Sequence, residues 1–203
     1  MKKGKGFAFS VQSSIIDFGT VTEPRKGDLL ISSPNLADKN FKKSVILLCE
    51  HCAEGSFGLI LNKILPTTLE TALHEGLRWD APLYRGGPVY PDTLHFLHKR
   101  ADITIGSAEV LPGIFWNGDF SKAAQLMENK IITNSDFRFF SGYAGWDAKQ
   151  LMSEMETRAW YVCRAEKKHI FEMDADTLWE DVLRLMGSKF KMLTNYPENP
   201  ELN

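Results

Sequence analysis

Cysteine is scarce. The 203 residues contain three, too few and of the wrong parity for a disulfide framework. Cys49 and Cys163 sit among apolar residues, where a reduced cysteine behaves as a small hydrophobe. A reducing, cytoplasmic setting is the expectation. Charge of one sign is also lacking: 24 Lys and Arg face 26 Asp and Glu, for a net charge of -2. The pI is about 6.2. A chain-wide footprint for nucleic acid is therefore missing. The small basic clusters at Lys2, Lys3 and Lys5 and at Lys39, Lys42 and Lys43 read as solvated surface. No apolar run approaches the length of a membrane-spanning helix. The early stretch "GFAFSVQSSIIDF" is interrupted by Gln12, Ser13, Ser14 and Asp17, unlike a signal peptide. A phosphate loop, a G-x-G-x-x-G fingerprint, a G-x-S-x-G elbow and a helix-turn-helix are all absent. These gaps remove the main nucleotide, hydrolase-elbow and DNA-reading classes, and no cofactor is expected.

What remains is 43% hydrophobic and 25% charged, enough for one domain over residues 1–203 with a real core. Residues 1–26 read as a lead-in and 188–203 as a tail, its "NYPENPELN" extended. "DLLIS" (28–32), "SVILLCEH" (44–51) and "FGLILN" (57–62) predict strands, the last two joined as a hairpin through Gly55. "PTTLETALHEGL" (66–77) opens with a capping-box pattern at Thr67 and Glu70, which predicts a helix. Strands are expected over 81–89, 92–99, 113–119, 137–146 and 159–165. Helices are expected over 121–130, with Ser121 near its start, over 147–158, capped by Asp147, and over 176–187, ending at Gly187. Hairpins first and helices later, without strict alternation, indicate an α+β fold.

Several stretches carry candidate chemistry. "CEHC" (49–52) has the spacing of half a zinc site, with His51 between the cysteines. Four ligands are needed, however, and Cys163 and His169 form no compact second pair. On a regular strand Cys49 and His51 share a face and Glu50 takes the other. "YRGGPV" (84–89) is an anion-site candidate: Gly86 and Gly87 allow a nest of backbone N–H groups, and Arg85 adds positive charge. The alternative is a tight turn between strands. In "FSGYAGW" (140–146), Tyr143 and Trp146 either line a pocket or simply pack. In "TLHFLH", His95 and His98 point to opposite faces, and His98 shares its face with Leu94 and Phe96, as a hydrogen-bonded core histidine does.

The blocks "GDLLISSPNLADKNFKKSVILLCEH", "EGSFGLILN", "YRGGPV..DTLHFLH" and "FFSGYAGWDAKQLMSEM" together resemble the AlgH/YqgE family of bacterial proteins, over about residues 27–187. Ser33, Pro34, Asp38 and Phe41 match the first block. Cys49, Glu50, His51, Gly58 and Asn62 match the hairpin. Gly86, Gly87, Pro88, Asp92 and His98 match the third block, and Gly142, Tyr143, Gly145, Trp146 and Glu154 the last. Position 52 departs, since the family carries a small polar residue there, so Cys52 is peculiar to this chain. Lys149 stands where a glycine is common, a change expected to cost nothing on a helix.

The resemblance implies a single α+β domain with a bifurcated or barrel-like, mostly antiparallel β-sheet surrounded by helices, and no established enzymatic activity. It also brings a transcriptional-regulator label. The leading expectation is a cytosolic, non-catalytic protein that binds a protein or a small polar ligand. Its candidate surface is Glu50, His51, Asn62, Arg85, Gly86, Gly87, His98, Tyr143 and Trp146. The alternatives are a transcriptional regulator and a hydrolase using His51 or His98 with Glu50. No metal and no membrane partner is expected, and nucleic acid is disfavoured on charge.

Overall fold

β1 (Asp28–Ser32) is buried along its length, with an apolar centre at Leu29, Leu30 and Ile31 covered on both faces. In the computed structural model, which describes residues 23–73 and 79–195, Leu29 and Ile31 enter one core and Leu30 another. A strand buried on both sides reads as an unbroken apolar run, not as an alternation. β2 (Val45–Cys52) repeats the arrangement, with Val45 and Leu47 in the first core and Ile46 and Leu48 in the second. It forms the expected antiparallel hairpin with β3 (Gly55–Ile60). β4 (Ile64–Thr68) and the short helix α1 (Leu69–Leu73) follow. Next come β5 (Pro82–Arg85), β6 (Val89–His98), β7 (Ala108–Leu111) and β8 (Ile114–Trp116). α2 (Phe120–Glu128) leads into β9 (Phe137–Asp147), then α3 (Gln150–Glu156) and β10 (Trp160–Arg164). The helices α4 (Lys167–Phe171), α5 (Leu178–Leu185) and α6 (Ser188–Lys191) come last.

The main path of the sheet runs β10-β1-β2-β3-β9-β6-β8-β7. Every pairing along it is antiparallel. The path curls without closing, so the architecture is α+β around an open, mostly antiparallel sheet. β9 makes it bifurcate. One edge of β9 pairs with β6. Its other edge is shared in series: residues 139–141 pair in parallel with β5, and residues 144–147 pair with β3. The fork falls at Gly142, where Gly86 and Gly87 lie against the β9 backbone. Gly86 N–H donates to the Ser141 carbonyl at 2.8 Å, and Gly86 C=O accepts from Ile60 at 2.9 Å.

Arg138 of β9 is 8% exposed. Its guanidinium donates to the Tyr84 hydroxyl at 3.0 Å and to the Leu61 carbonyl at 3.2 Å. It also lies over the Tyr84 ring, 4.3 Å from the centroid. α5 covers the first core with Leu178, Trp179, Val182 and Leu183, whereas Leu185, expected on the same apolar stripe, is 62% exposed. Among the described residues no helix is long and apolar enough to cross a membrane.

Several boundaries differ from expectation. Residues 64–68 form a strand because Ile64 pairs with Tyr84 and Thr68 with Pro82. Helix α1 therefore starts later than the Thr67 capping pattern predicts, and the Thr68 hydroxyl accepts from Thr71 N–H at 3.3 Å. The remainder of that predicted helix, from residue 74, lies outside the described residues, as do most of the lead-in and residues 196–203 of the tail. β7 is unpredicted. α2 is capped by Asp119, whose carboxylate accepts from Lys122 N–H, and Ser121 lies in its first turn, near the start as expected. Asp147 closes β9 and does not cap α3. Its N–H donates to the Gln150 side chain at 3.0 Å.

Lys149 is not on the helix but at its N-cap, with φ of 65°. A side chain in this left-handed region is strained by about 1 kcal/mol relative to glycine, so the lysine has a cost where none was expected. Lys149→Gly is expected to stabilise the protein by about 0.5 kcal/mol, net of glycine's greater freedom when unfolded. Thermal unfolding followed by circular dichroism would register this as a rise of about 1–2 °C. A lower melting temperature would contradict the strain.

Candidate functional site

The β2–β3 register breaks between Leu48 and Glu50. Leu48 stands opposite Gly58, while Glu50 stands opposite Phe57. The extra residue, Cys49, is a β-bulge, and a bulge re-aims the side chains beside it. The even alternation expected of this strand is thereby corrected. Cys49 goes into the first core, its thiol donating to the Leu47 carbonyl at 3.6 Å. Glu50 faces out beside Phe57. His51 stands across from Ser56, with Nδ1 and Oγ 2.7 Å apart. Cys52 is exposed and donates to the Gly55 carbonyl at 3.6 Å.

The half zinc site is thus dispersed, and among the described residues no three or more His, Cys, Asp or Glu side chains gather as a metal site would. Burial pushes the Cys49 thiol far above its ordinary range. Cys163 is pushed up to about 12, first by burial and then by Asp28 and Glu166. Neither thiol supplies a reactive thiolate at neutral pH.

A groove of about 640 Å³ opens between the hairpin end, β6, β8 and the end of β9. Phe57, His95, Trp116 and Tyr143 wall it. Their rings pack on one another: Phe57 lies 4.7 Å from Trp116 and 5.1 Å from Tyr143. His95 lies 5.9 Å from Trp116 and 5.7 Å from Tyr143. Glu50, Glu54 and Asp147, all exposed, line the same groove, and no Lys or Arg does.

His95 Nδ1 and Trp116 Nε1 are enclosed and have no hydrogen-bond partner among the described residues. The Thr93 hydroxyl donates to the Tyr90 carbonyl at 2.7 Å, so it accepts from His95 Nε2 at 3.2 Å. That assigns the ring proton to Nε2 and leaves Nδ1 a bare acceptor. Burial lowers the pKa of His95, which keeps the ring neutral at pH 7. Trp116 Nε1–H is a donor, so the unpartnered pair is one acceptor and one donor.

The sequence-derived candidates divide. Glu50, Tyr143 and Trp146 line the groove. His51 pairs with Ser56 on the opposite face of the hairpin from Glu50. Asn62 lies at the other end of the hairpin, where it clamps β2: its Oδ1 accepts from Val45 N–H at 2.9 Å, and its Nδ2 donates to the Lys43 carbonyl at 2.8 Å. Arg85 donates to Asn40 Oδ1 at 2.8 Å. Gly86 spends its N–H on Ser141, so the glycine pair serves the fork instead of opening as an anion nest. His98 is fully buried between Phe115 and Phe137. Its Nε2 donates to the Asn117 carbonyl at 2.8 Å, and its Nδ1 accepts from Arg100 N–H at 3.2 Å. Burial lowers its pKa, against those hydrogen bonds.

The grouping of His51 or His98 with Glu50 is therefore not formed. Sequence reasoning missed Phe57, His95 and Trp116 as site residues. The alternation in "TLHFLH" held the signal for His95, since the face opposite buried His98 had to lead elsewhere.

Trp146 is held from behind. Its indole N–H donates to Glu154 Oε2 at 2.9 Å, and that of Trp160 donates to the same oxygen at 2.7 Å. Gln150 Nε2 donates to Glu154 Oε1 at 2.9 Å. Glu154→Leu strips both indoles of their acceptor and is expected to cost about 2 kcal/mol in urea unfolding. Glu154→Gln keeps an acceptor oxygen and should cost less. Equal losses would show that shape, and not the shared acceptor, is what matters.

Comparison with known proteins places this architecture. A family model described as AlgH-like matches residues 29–191. A UPF0301 protein of Chlorobaculum parvum is 42% identical over 179 residues, covering 88% of this chain and 96% of the relative. A UPF0301 protein of Cytophaga hutchinsonii is 38% identical over 179 residues, covering 88% of this chain and 98% of the relative. The solution structure of the AlgH protein from Pseudomonas aeruginosa is similar with a TM-score of 0.67 at 26% identity, covering 85% of this chain and 94% of that one. The crystal structure of protein DIP2367 from Corynebacterium diphtheriae shares the fold with a TM-score of 0.72 at 22% identity, covering 86% and 94%. The chain belongs to the AlgH-like family.

Proposed function

We propose that the chain acts by binding rather than by catalysis, and that the aromatic groove takes a small polar ligand or a partner's side chain. The observation that carries this reading is the enclosed, unpartnered pair His95 Nδ1 and Trp116 Nε1. An enclosed polar atom without a partner costs about 1–3 kcal/mol, and such atoms in a native fold call for an explanation. A ligand toward which these rings turn recovers both hydrogen bonds. The volume, about 640 Å³, suits a small organic molecule.

The hydrolase alternative is weaker, because His98 is sealed and Glu50 and His51 face apart. His51 and Ser56 have the reach of a base and a nucleophile, yet among the described residues no hydrogen bond orients the ring from its other nitrogen. The reading sets the protein in the cytoplasm, where its free thiols stay reduced.

The regulator alternative draws on a different place. Lys43, Arg85 and Lys42 surround half-buried Lys63, whose pKa is lowered first by burial and then by these cations. Duplex DNA titrated at about 50 mM salt tests it: affinity lost steeply by about 200 mM favours the regulator, and no binding at low salt removes it.

For the groove, isotope-labelled protein is titrated with a panel of small organic cations, anions and neutral heterocycles. Saturable shifts centred on the Trp116 indole N–H are expected, with Trp116→Phe fixing the assignment. If no compound moves that resonance, the groove is not a binding site.

A further inference from the structure

We infer that the groove selects a small organic cation, an inference that rests on the binding reading above. Two independent features of the walls point the same way. The first is aromatic: at the opening the Phe57 ring lies 4.7 Å from that of Trp116 and 5.1 Å from that of Tyr143. Ring faces carry negative quadrupole and attract alkylammonium or guanidinium groups, most strongly where water is partly excluded.

The second is charge. Glu50, Glu54 and Asp147 are the charged residues that line the groove, and all three are negative. An anionic ligand would meet repulsion from each. A neutral ligand would gain nothing from them. Lined by one sign of charge, a concave surface also concentrates counter-ions of the other.

A metal ion needs several converging ligand atoms, and among the described residues no such group is gathered. The carboxylates are spread around aromatic rings, an arrangement that serves a diffuse organic charge better than a point charge. His95 fits the same assignment. Its ring proton lies on Nε2, so Nδ1 offers a lone pair and no competing positive charge. Once its ring turns out of the enclosure, Trp116 Nε1–H donates to an oxygen on the ligand, as in an amino alcohol. The groove's volume of about 640 Å³ holds such a molecule whole, and a free small cation is the occupant assigned.

The test pairs choline with 3,3-dimethylbutanol, which has the same shape and no charge, read at the Trp116 indole N–H. Choline is expected to bind about ten-fold more tightly than the neutral isostere. The double variant Glu50→Gln, Glu54→Gln changes exposed side chains and leaves the fold intact. It should weaken choline about five-fold at low salt and leave the isostere unchanged. Tyr143→Leu should weaken choline by a similar factor.

Equal binding of choline and its isostere would overturn the cation assignment while the groove stood as a binding site. So would shifts produced only by anions or neutral heterocycles from the wider panel. A response to an arginine-containing peptide but not to choline would overturn the small-molecule occupant. No response to anything would remove the binding reading itself.

Discussion

Backbone lies directly on backbone where Gly86 and Gly87 cross β9. A Cβ at Gly86 would sit 2.1 Å from the Gly142 carbonyl oxygen, and one at Gly87 would sit 2.0 Å from the Tyr143 carbonyl carbon. No side chain fits there, and flexible neighbours cannot relieve the contact, because the atoms in the way are main chain. At this approach β9 passes its edge from β5, paired as far as Ser141, to β3, paired from Ala144. The groove is referred to the same point. Tyr143 follows the fork, β6 leaves it two residues after Gly87, and the β2–β3 hairpin is held by the stretch of β9 just beyond it. The glycine pair that resembles a ligand loop is a structural joint one step behind the groove.

Two register breaks then place the groove's side chains. One is the bulge at Cys49. The other lies opposite the fork, where β6 pairs Val89 with Tyr143 but Leu94 with Ser141, so that several β6 residues answer a single β9 residue. The first sets Glu50 beside Phe57. The second brings Thr93 round to His95 and holds Tyr90 at a φ of 44°. Bulges recur where strands must present side chains out of the regular alternation. Here both serve the same surface from opposite sides, which makes a functional reading of that surface more economical than two unrelated irregularities.

Legibility in the sequence follows from the range of the interactions involved. Strands buried on both faces, such as "DLLIS", announce themselves, because composition alone carries the signal. The amphipathic helix over Leu178–Leu185 is equally plain. Capping residues were harder. Thr67 and Asp147 each look like a cap, yet the α3 cap falls on Lys149 and Thr67 is pulled into a strand by a partner farther along the chain. The candidate groove is half legible: Glu50, Tyr143 and Trp146, which line it, stand in recognisable motifs. Asn62, Arg85 and His98 stand in the same motifs for structural reasons, as strand clamp, loop tie and sealed core histidine. Phe57 and Trp116 look like ordinary core aromatics in sequence, and only the curl of the sheet shows them facing a common opening. The bulge at Cys49 leaves no local mark, and it reversed the facing of Glu50.

Arg138 carries a consequence of its own. A buried guanidinium ordinarily sits against a carboxylate, and such a pair comes apart when acid protonates the carboxylate. Here the partners are the Tyr84 hydroxyl, the Tyr84 ring and the Leu61 carbonyl. None of these gains a proton on acidification. The tie between β9, β5 and the end of β3 therefore has no acid-labile member. Lysine is no substitute, since a single ammonium cannot span a phenol and a carbonyl while lying flat on a ring. The centre of the sheet is fastened by a permanent charge whose partners are blind to acid.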